Sequence, residues 1–214
     1  PIQTVRSAVI GVIGTAPDAT GTFPLNEPVL VSGSRLKAAD LGTTGTLPGA
    51  VSAIFNQIGA TLIVVRVAEG ADEAATLANV AGDSATQTGA WAFLKAESNL
   101  GLSPKVLCAP GWTHQCTLTA GSEVANEVVV AMASISAGTT GVTDRLRAVV
   151  IADGPNTTAS DSQLYADLHV SDRIYVIDPW VKTDASTTVP ASAHIAGVIA
   201  KADAERGFWH SPSN

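Results

Sequence analysis

Two rhythms of apolar residues alternate along this chain. Ser7–Ile13 is a nearly continuous apolar run, mostly β-branched, closed by Gly14 and the turn-prone Ala16-Pro17-Asp18, and it predicts a strand. Pro28–Val31 predicts a short second strand ending at Ser32-Gly33-Ser34. Ser34 is then placed to cap a short helix over Arg35–Leu41, with Gly42 at its exit. The next segment switches period: Leu47, Val51, Ile54, Phe55 and Ile58 fall on one helical stripe. Thr46 stands where its hydroxyl would accept from the first free amides, Pro48 lies in the first turn, and Gly59 ends the pattern. Thr61–Val67 is almost unbroken Leu, Ile and Val, as in a strand buried on both faces.

Gly70–Gly89 has little aliphatic content and predicts surface loops around a short helix, the candidate for an outer surface. Beyond it the alternation resumes. Trp91–Glu97 reads as helix and Lys105–Ala109 as strand with a Pro110-Gly111 turn. Ser122–Ile135 reads as helix with Val124, Val128, Met132 and Ile135 inward. Arg147–Ala152 and Arg173–Ile177 read as strands on either side of a helix over Ser160–Leu168. After Pro190, the residues Ala191, Ile195, Val198, Ile199 and Ala202 form a last helical stripe, which Gly207 stops. The same helix carries Ala193, Ala196, Gly197 and Ala200, small enough to admit a neighbouring backbone. Strands alternating with helices, with no internal repeat and no linker, imply an α/β fold: one layered domain over 1–214, with a mainly parallel or mixed sheet flanked by helices.

Composition narrows the classes. Of the 214 residues, 46% are hydrophobic and 14% charged, against roughly 25% charged in an ordinary soluble domain. Such a chain builds its core without disulfides or metal. Twelve Lys and Arg against nineteen Asp and Glu give a net charge of −7, with no basic run, so direct nucleic-acid binding is not expected. No apolar stretch approaches the roughly 20 residues of a membrane span, and the start lacks the basic and apolar regions of a signal peptide. The expectation is an acidic, soluble, intracellular product without membrane insertion. Cys108 and Cys116 are too few for a disulfide scaffold and are expected to be reduced and structural.

Candidate chemistry is sparse. Asp153 and Asp178 each end a predicted strand, where open parallel sheets bind ligands. As a pair they would suit metal binding or acid–base work in a small α/β hydrolase or metal-dependent enzyme. The plainer reading makes both turn formers, Asp153 before Gly154-Pro155 and Asp178 before Pro179. Cys108, His114 and Cys116 lack a fourth zinc donor at a usual spacing and an orienting partner for a nucleophile. Gly82-Asp83-Ser84 lacks the G-x-S-x-G elbow. Gly11 and Gly14 after a strand do not make a dinucleotide fingerprint, and no phosphate loop is present. His114, His169, His194 and His210 are scattered, and Phe208, Trp180 and Trp209 flank element ends as core anchors or interface residues. No catalytic, cofactor or metal residues are assigned, and an enzyme is not expected.

A set of ordered segments carries more information than any one motif. Phe23-Pro24-Leu25-Asn26-Glu27-Pro28-Val29-Leu30-Val31 leads to Leu41-Gly42-Thr43-Thr44-Gly45-Thr46-Leu47. Then come Pro104-Lys105-Val106-Leu107-Cys108-Ala109-Pro110-Gly111 and Ala152-Asp153-Gly154-Pro155-Asn156-Thr157. Tyr175-Val176-Ile177-Asp178-Pro179-Trp180, Pro190-Ala191-Ser192-Ala193 and the run from Ala204 to Asn214 follow. In this order and spacing, over nearly the whole chain, they resemble the major tail sheath protein of contractile-tailed bacteriophages, in the short form shared with contractile bacteriocins.

The resemblance implies a structural subunit with no active site and no cofactor. Such subunits stack as hexameric rings around an inner tail tube and contract on a baseplate signal, driving the tube through the target envelope. Implied partners are other sheath subunits, the tube protein, and baseplate and tail terminator proteins. Extended arms add strands to a neighbour's sheet. The implied location is the virion tail, assembled in the host cytoplasm. Family members carry an N-terminal arm before Pro1 and a tube-facing domain after Asn214, so the expectation is a sheath core fragment, monomeric by itself.

Overall fold

The computed structural model describes residues 8–33, 35–138 and 146–212. The proposed cap at Ser34 lies outside the described residues. Five of the expected strands run parallel: β1 (Val9–Thr15), β3 (Thr61–Val67), β4 (Val106–Cys108), β5 (Val149–Asp153) and β6 (Ile174–Ile177). The sixth, β2 (Pro28–Ser32), is antiparallel to β3 at one edge, and the order across the sheet is β2-β3-β1-β4-β5-β6. Central strands are buried along nearly their whole length, which is why Thr61–Val67 reads as a continuous apolar run rather than an alternating one.

Helices cover both faces. On one lie α2 (Leu47–Gln57) and α7 (Ser192–Arg206), packed on Ile10, Val12, Leu62, Val64 and Ile151. On the other lie α3 (Glu73–Ala81), a 3-10 segment at Gly89–Lys95, α4 (Ala96–Leu100) and α5 (Glu127–Ala133), against Val9, Ile63, Val65, Leu107 and Val150. On this second face α6 (Ala159–Leu168) buries Tyr165 against Ala152 and Val129. The step from β1 to β3 passes through α2 on the first face. The steps β3 to β4, β4 to β5 and β5 to β6 move the opposite way across the second face, so all four crossovers share one hand. A short helix, α1 (Arg35–Ala38), a 3-10 turn at Ala39–Leu41, a π-helical turn at Ser134–Gly138 and a small hairpin of β7 (Val181–Lys182) and β8 (Thr188–Val189) complete the described elements.

α2 and α7 cross through small residues. Ser192, Ala193, Ala196, Gly197 and Ala200 form the buried face of α7, while Ile195 and Ile199 sit half-buried beside them. A Cβ on Gly197 would lie 2.9 Å from Cγ of Gln57 and 3.1 Å from the Ile54 carbonyl oxygen, so the two backbones meet at glycine.

Three expectations need correction. Thr46 does not cap α2: its backbone is already helical and its hydroxyl faces β1 instead. The helix expected from Ser122 begins only at Glu127, capped by Asn126. Val124 instead pairs as an isolated bridge with Thr117 and is exposed. Gly70–Gly89 holds the expected short helix between turns, but it is not all surface. Asp72 caps α3 by accepting from the Ala75 amide at 2.7 Å, and Thr76, Val80 and Ala81 are buried in the core. Its small residues mark close packing, since Gly82 and Gly89 meet backbone to backbone.

Candidate functional site

The sheet changes direction of growth between β1 and β4, and the crevice beyond their carboxyl ends is where open α/β sheets take a ligand. Here Thr46 bridges its walls, and a groove of about 390 Å³ lined by Thr46, Ala50, Pro110, Gly111 and Ala193 stays open beside it. Thr46 Oγ1 accepts from the Thr15 amide at 3.1 Å and from Trp112 Nε1 at 3.1 Å, while the Thr46 amide donates to Thr15 Oγ1 at 3.3 Å. Gly14 faces Thr46 with no room for a side chain, and a Cβ on Gly111 would lie 3.4 Å from Thr46 Cγ2. Gly11, the other glycine of β1, admits Leu107 and Phe93. Both glycines of this strand therefore serve packing.

Asp153 and Asp178 do not converge. Asp153 pairs in register with Ile177, so Asp178, one residue later, projects from the opposite face of the sheet. Asp153 is fully buried, and its carboxylate accepts from the Ser192 amide at 2.7 Å and from Ser192 Oγ at 2.5 Å, holding the start of α7. Burial pushes its pKa up, against the hydrogen bonds from Ser192 that pull it down. On the other face Asp178 accepts from the Ser162 hydroxyl of α6. Neither is a plain turn former: each fastens a helix to the end of the sheet. The pairing required by the hydrolase or metal-enzyme reading is not made.

A chain of polar contacts runs from this edge into the second face. The Asp153 amide donates to Thr113 Oγ1 at 2.9 Å, and the Thr113 carbonyl accepts from the Tyr165 hydroxyl. The Tyr165 carbonyl lies 2.8 Å from His169 Nδ1, and His169 Nε2 accepts from the Asn126 amide at 3.0 Å. Because Nε2 accepts, the proton sits on Nδ1 and is donated to Tyr165. Burial lowers the His169 pKa and keeps the ring neutral. Asn126 completes the chain: its side chain accepts from Val129 N at 3.0 Å and donates to the carbonyls of Trp112 and Gln115. Asn126 directly before Glu127 is a cap signature visible in the sequence; the roles of Thr113, Tyr165 and His169 have no local signal.

The remaining candidates are dispersed. Cys108 is buried on the α2 and α7 face, its thiol directed at the Gly11 carbonyl at 3.8 Å, and burial, then the Asp153 charge, pushes its pKa up. Cys116 lies against the Tyr165 cluster on the other face, and both cysteines are free thiols. His114 packs edge-on to Trp180, ring centres 5.0 Å apart, with its pKa lowered by burial. Among the described residues no group of three His, Cys, Asp or Glu side chains could hold a metal ion. Asp83 accepts from the Ala85 and Thr86 amides as a turn former. Trp180 anchors the cluster by donating from Nε1 to the Gly154 carbonyl at 3.0 Å, whereas Phe208 and Trp209 are exposed. Among the described residues no helix is long and apolar enough to cross a membrane.

Comparison with known proteins fits this arrangement. Residues 7–67, from just before β1 to the end of β3, match the family described as tail sheath protein Gp18 domain III N-terminal region. A putative prophage major tail sheath protein of Pseudomonas aeruginosa is 34% identical over 217 residues, covering 97% of this chain and 52% of that protein. The tail sheath protein of Escherichia phage P2 is 33% identical over 225 residues, covering 98% of this chain and 52% of its own length. The chain thus spans about half the length of these relatives. The fold recurs in a chain of the anti-feeding prophage baseplate (TM-score 0.60, 19% identity, 97% of this chain and 50% of that one). It recurs again in the contracted sheath complex of an extracellular contractile injection system (TM-score 0.59, 18% identity, 96% and 47%). The ordered segments, the sequence matches along nearly the entire chain and the shared fold agree: this chain is a homologue of tail sheath proteins and matches about half of their length.

Proposed function

We propose that this chain forms the α/β part of a contractile tail sheath subunit. As such it assembles with further sheath subunits into hexameric rings around an inner tail tube and moves with them when the sheath contracts. The observation that carries this reading is similarity to named tail sheath proteins along 97–98% of the chain. On this reading the chain works as one structural unit without catalysis, metal or cofactor, within a virion tail put together in the host cytoplasm, and its other contacts are with tube, baseplate and tail terminator proteins. The isolated 214 residues are monomeric.

Electron microscopy of a polypeptide of the relatives' full length containing residues 1–214 tests the proposal. Tubes or stacked rings of regular width are the expected result. Dispersed particles, both alone and with the tube protein, would overturn it. Light scattering on the 214 residues tests the monomer, and stable hexamers would contradict it.

A further inference from the structure

The two edges of the sheet differ. At β2, Lys37 Nζ donates to the Leu30 carbonyl at 2.7 Å, and α4 packs alongside. At β6 the inward main-chain groups are used: the Val150 amide donates to the Arg173 carbonyl at 2.7 Å and the Gly154 amide to the Ile177 carbonyl at 2.8 Å. Strand alternation therefore turns the Val176 amide and carbonyl outward, and among the described residues no strand pairs with that side. The cover of the first face also stops short of β6. Register with Ile151 puts Tyr175 on the side of α7, where it is 59% exposed. Val149, Ile195, Val198 and Ile199, with Ser211 and Pro212, line an apolar groove beside it. On the other face of the same strand a second groove runs between Val176 and the start of α6. An edge with a free backbone and a groove on each side is shaped for an extended segment whose alternate side chains enter the two grooves.

The relatives supply the occupant. They are about twice the length of the matched region, so each carries a further half beyond the part this chain matches. We infer that the β6 edge is the internal seat of that other half: an extended segment of the same sheath polypeptide pairs with Val176 and covers Tyr175. This rests on the sheath reading. The segment runs antiparallel to β6 if it follows α7 directly. A parallel strand reached through α7 would cross the face opposite to the one used by the other rightward crossovers and reverse their common hand.

Amide hydrogen exchange on monomeric samples is the test, comparing the 214 residues with a polypeptide of the relatives' full length containing them. The Val176 amide should exchange freely in the short chain and slow on the order of a hundredfold in the long monomer. Tyr175→Ser should reverse much of that slowing while leaving exchange in β1 and β3 unchanged. Equal exchange of Val176 in both monomers would overturn the inference. Protection found only after assembly would overturn it as well, because it would assign the edge to a neighbouring subunit. Tube formation by the long polypeptide is scored separately: tubes with an unprotected Val176 defeat only this inference, whereas failure to form tubes counts against the sheath reading.

Discussion

Asp153 at the end of β5 and Ser192 at the start of α7, 39 residues apart, are joined by two hydrogen bonds, one to the Ser192 amide at 2.7 Å and one to its hydroxyl at 2.5 Å. A carboxylate borne by a strand thus does for α7 what a capping side chain usually does from within the helix's own sequence. Replacing it removes the cap, worth about 1 kcal/mol, and strands a buried hydroxyl and amide at about 1–3 kcal/mol. Asp153→Ala should therefore lose about 2–4 kcal/mol in urea unfolding, and a loss within error of zero would refute the capping role.

Thr46 makes a comparable prediction at the β1/β4 switch. Thr46→Val keeps the shape but leaves the Thr15 amide and the Trp112 indole without their acceptor, at a cost of about 1–3 kcal/mol. Thr46→Ser keeps the oxygen and should lose under about 1 kcal/mol, the value of one methyl group. Equal midpoints for the two variants would show that the hydroxyl is not what matters.

The crossing of α2 and α7 tolerates little. Gly197→Leu forces a side chain toward Gln57 and the Ile54 carbonyl, and overpacking of this kind costs about 1–3 kcal/mol. The denaturation midpoint should fall accordingly; an unchanged midpoint would mean that the two helices separate easily.

His169 gives a pH signature. Burial holds its folded pKa below the unfolded value of about 6.5, so the unfolded state binds more protons between the two values. Stability is therefore full above about pH 6.5 and falls as pH drops toward the folded pKa, as protonation of Nε2 breaks the bond from Asn126. His114 and His194, also lowered by burial, act with the same sign. Asp18, held low chiefly by the Thr43 amide, and Asp184, lowered to about 2 chiefly by the Ser186 amide, titrate far outside this window. The stability slope between pH 7 and 5 should be shallower in His169→Gln than in the parent. Parallel slopes would exclude this histidine.

What the sequence revealed followed from range. Thr61–Val67 and the stripe of α2 are local patterns, and both elements appear where those patterns place them. The site was legible only in part, because its contacts are long-range. Asp153 could be singled out at a strand end, yet its partner lies 39 residues on, and nothing near either residue announces the pair. Thr46 has the composition of a cap, but two donors from elsewhere in the fold draw its hydroxyl away. Val124 fits a helical period, but the cap at Asn126 starts the helix after it. Gly70–Gly89 lacks aliphatic signal because glycine and alanine there let segments touch, which hydrophobic patterning does not register.

The unequal edges of the sheet carry a consequence for solubility. A fibril built by stacking sheets edge to edge needs two sticky ends on every molecule, and Lys37 and α4 leave this one with a single usable end. Two copies meeting through β6 would exhaust their valence at once and stop at a pair. A fold with one blunted border therefore resists open-ended stacking into cross-β aggregates.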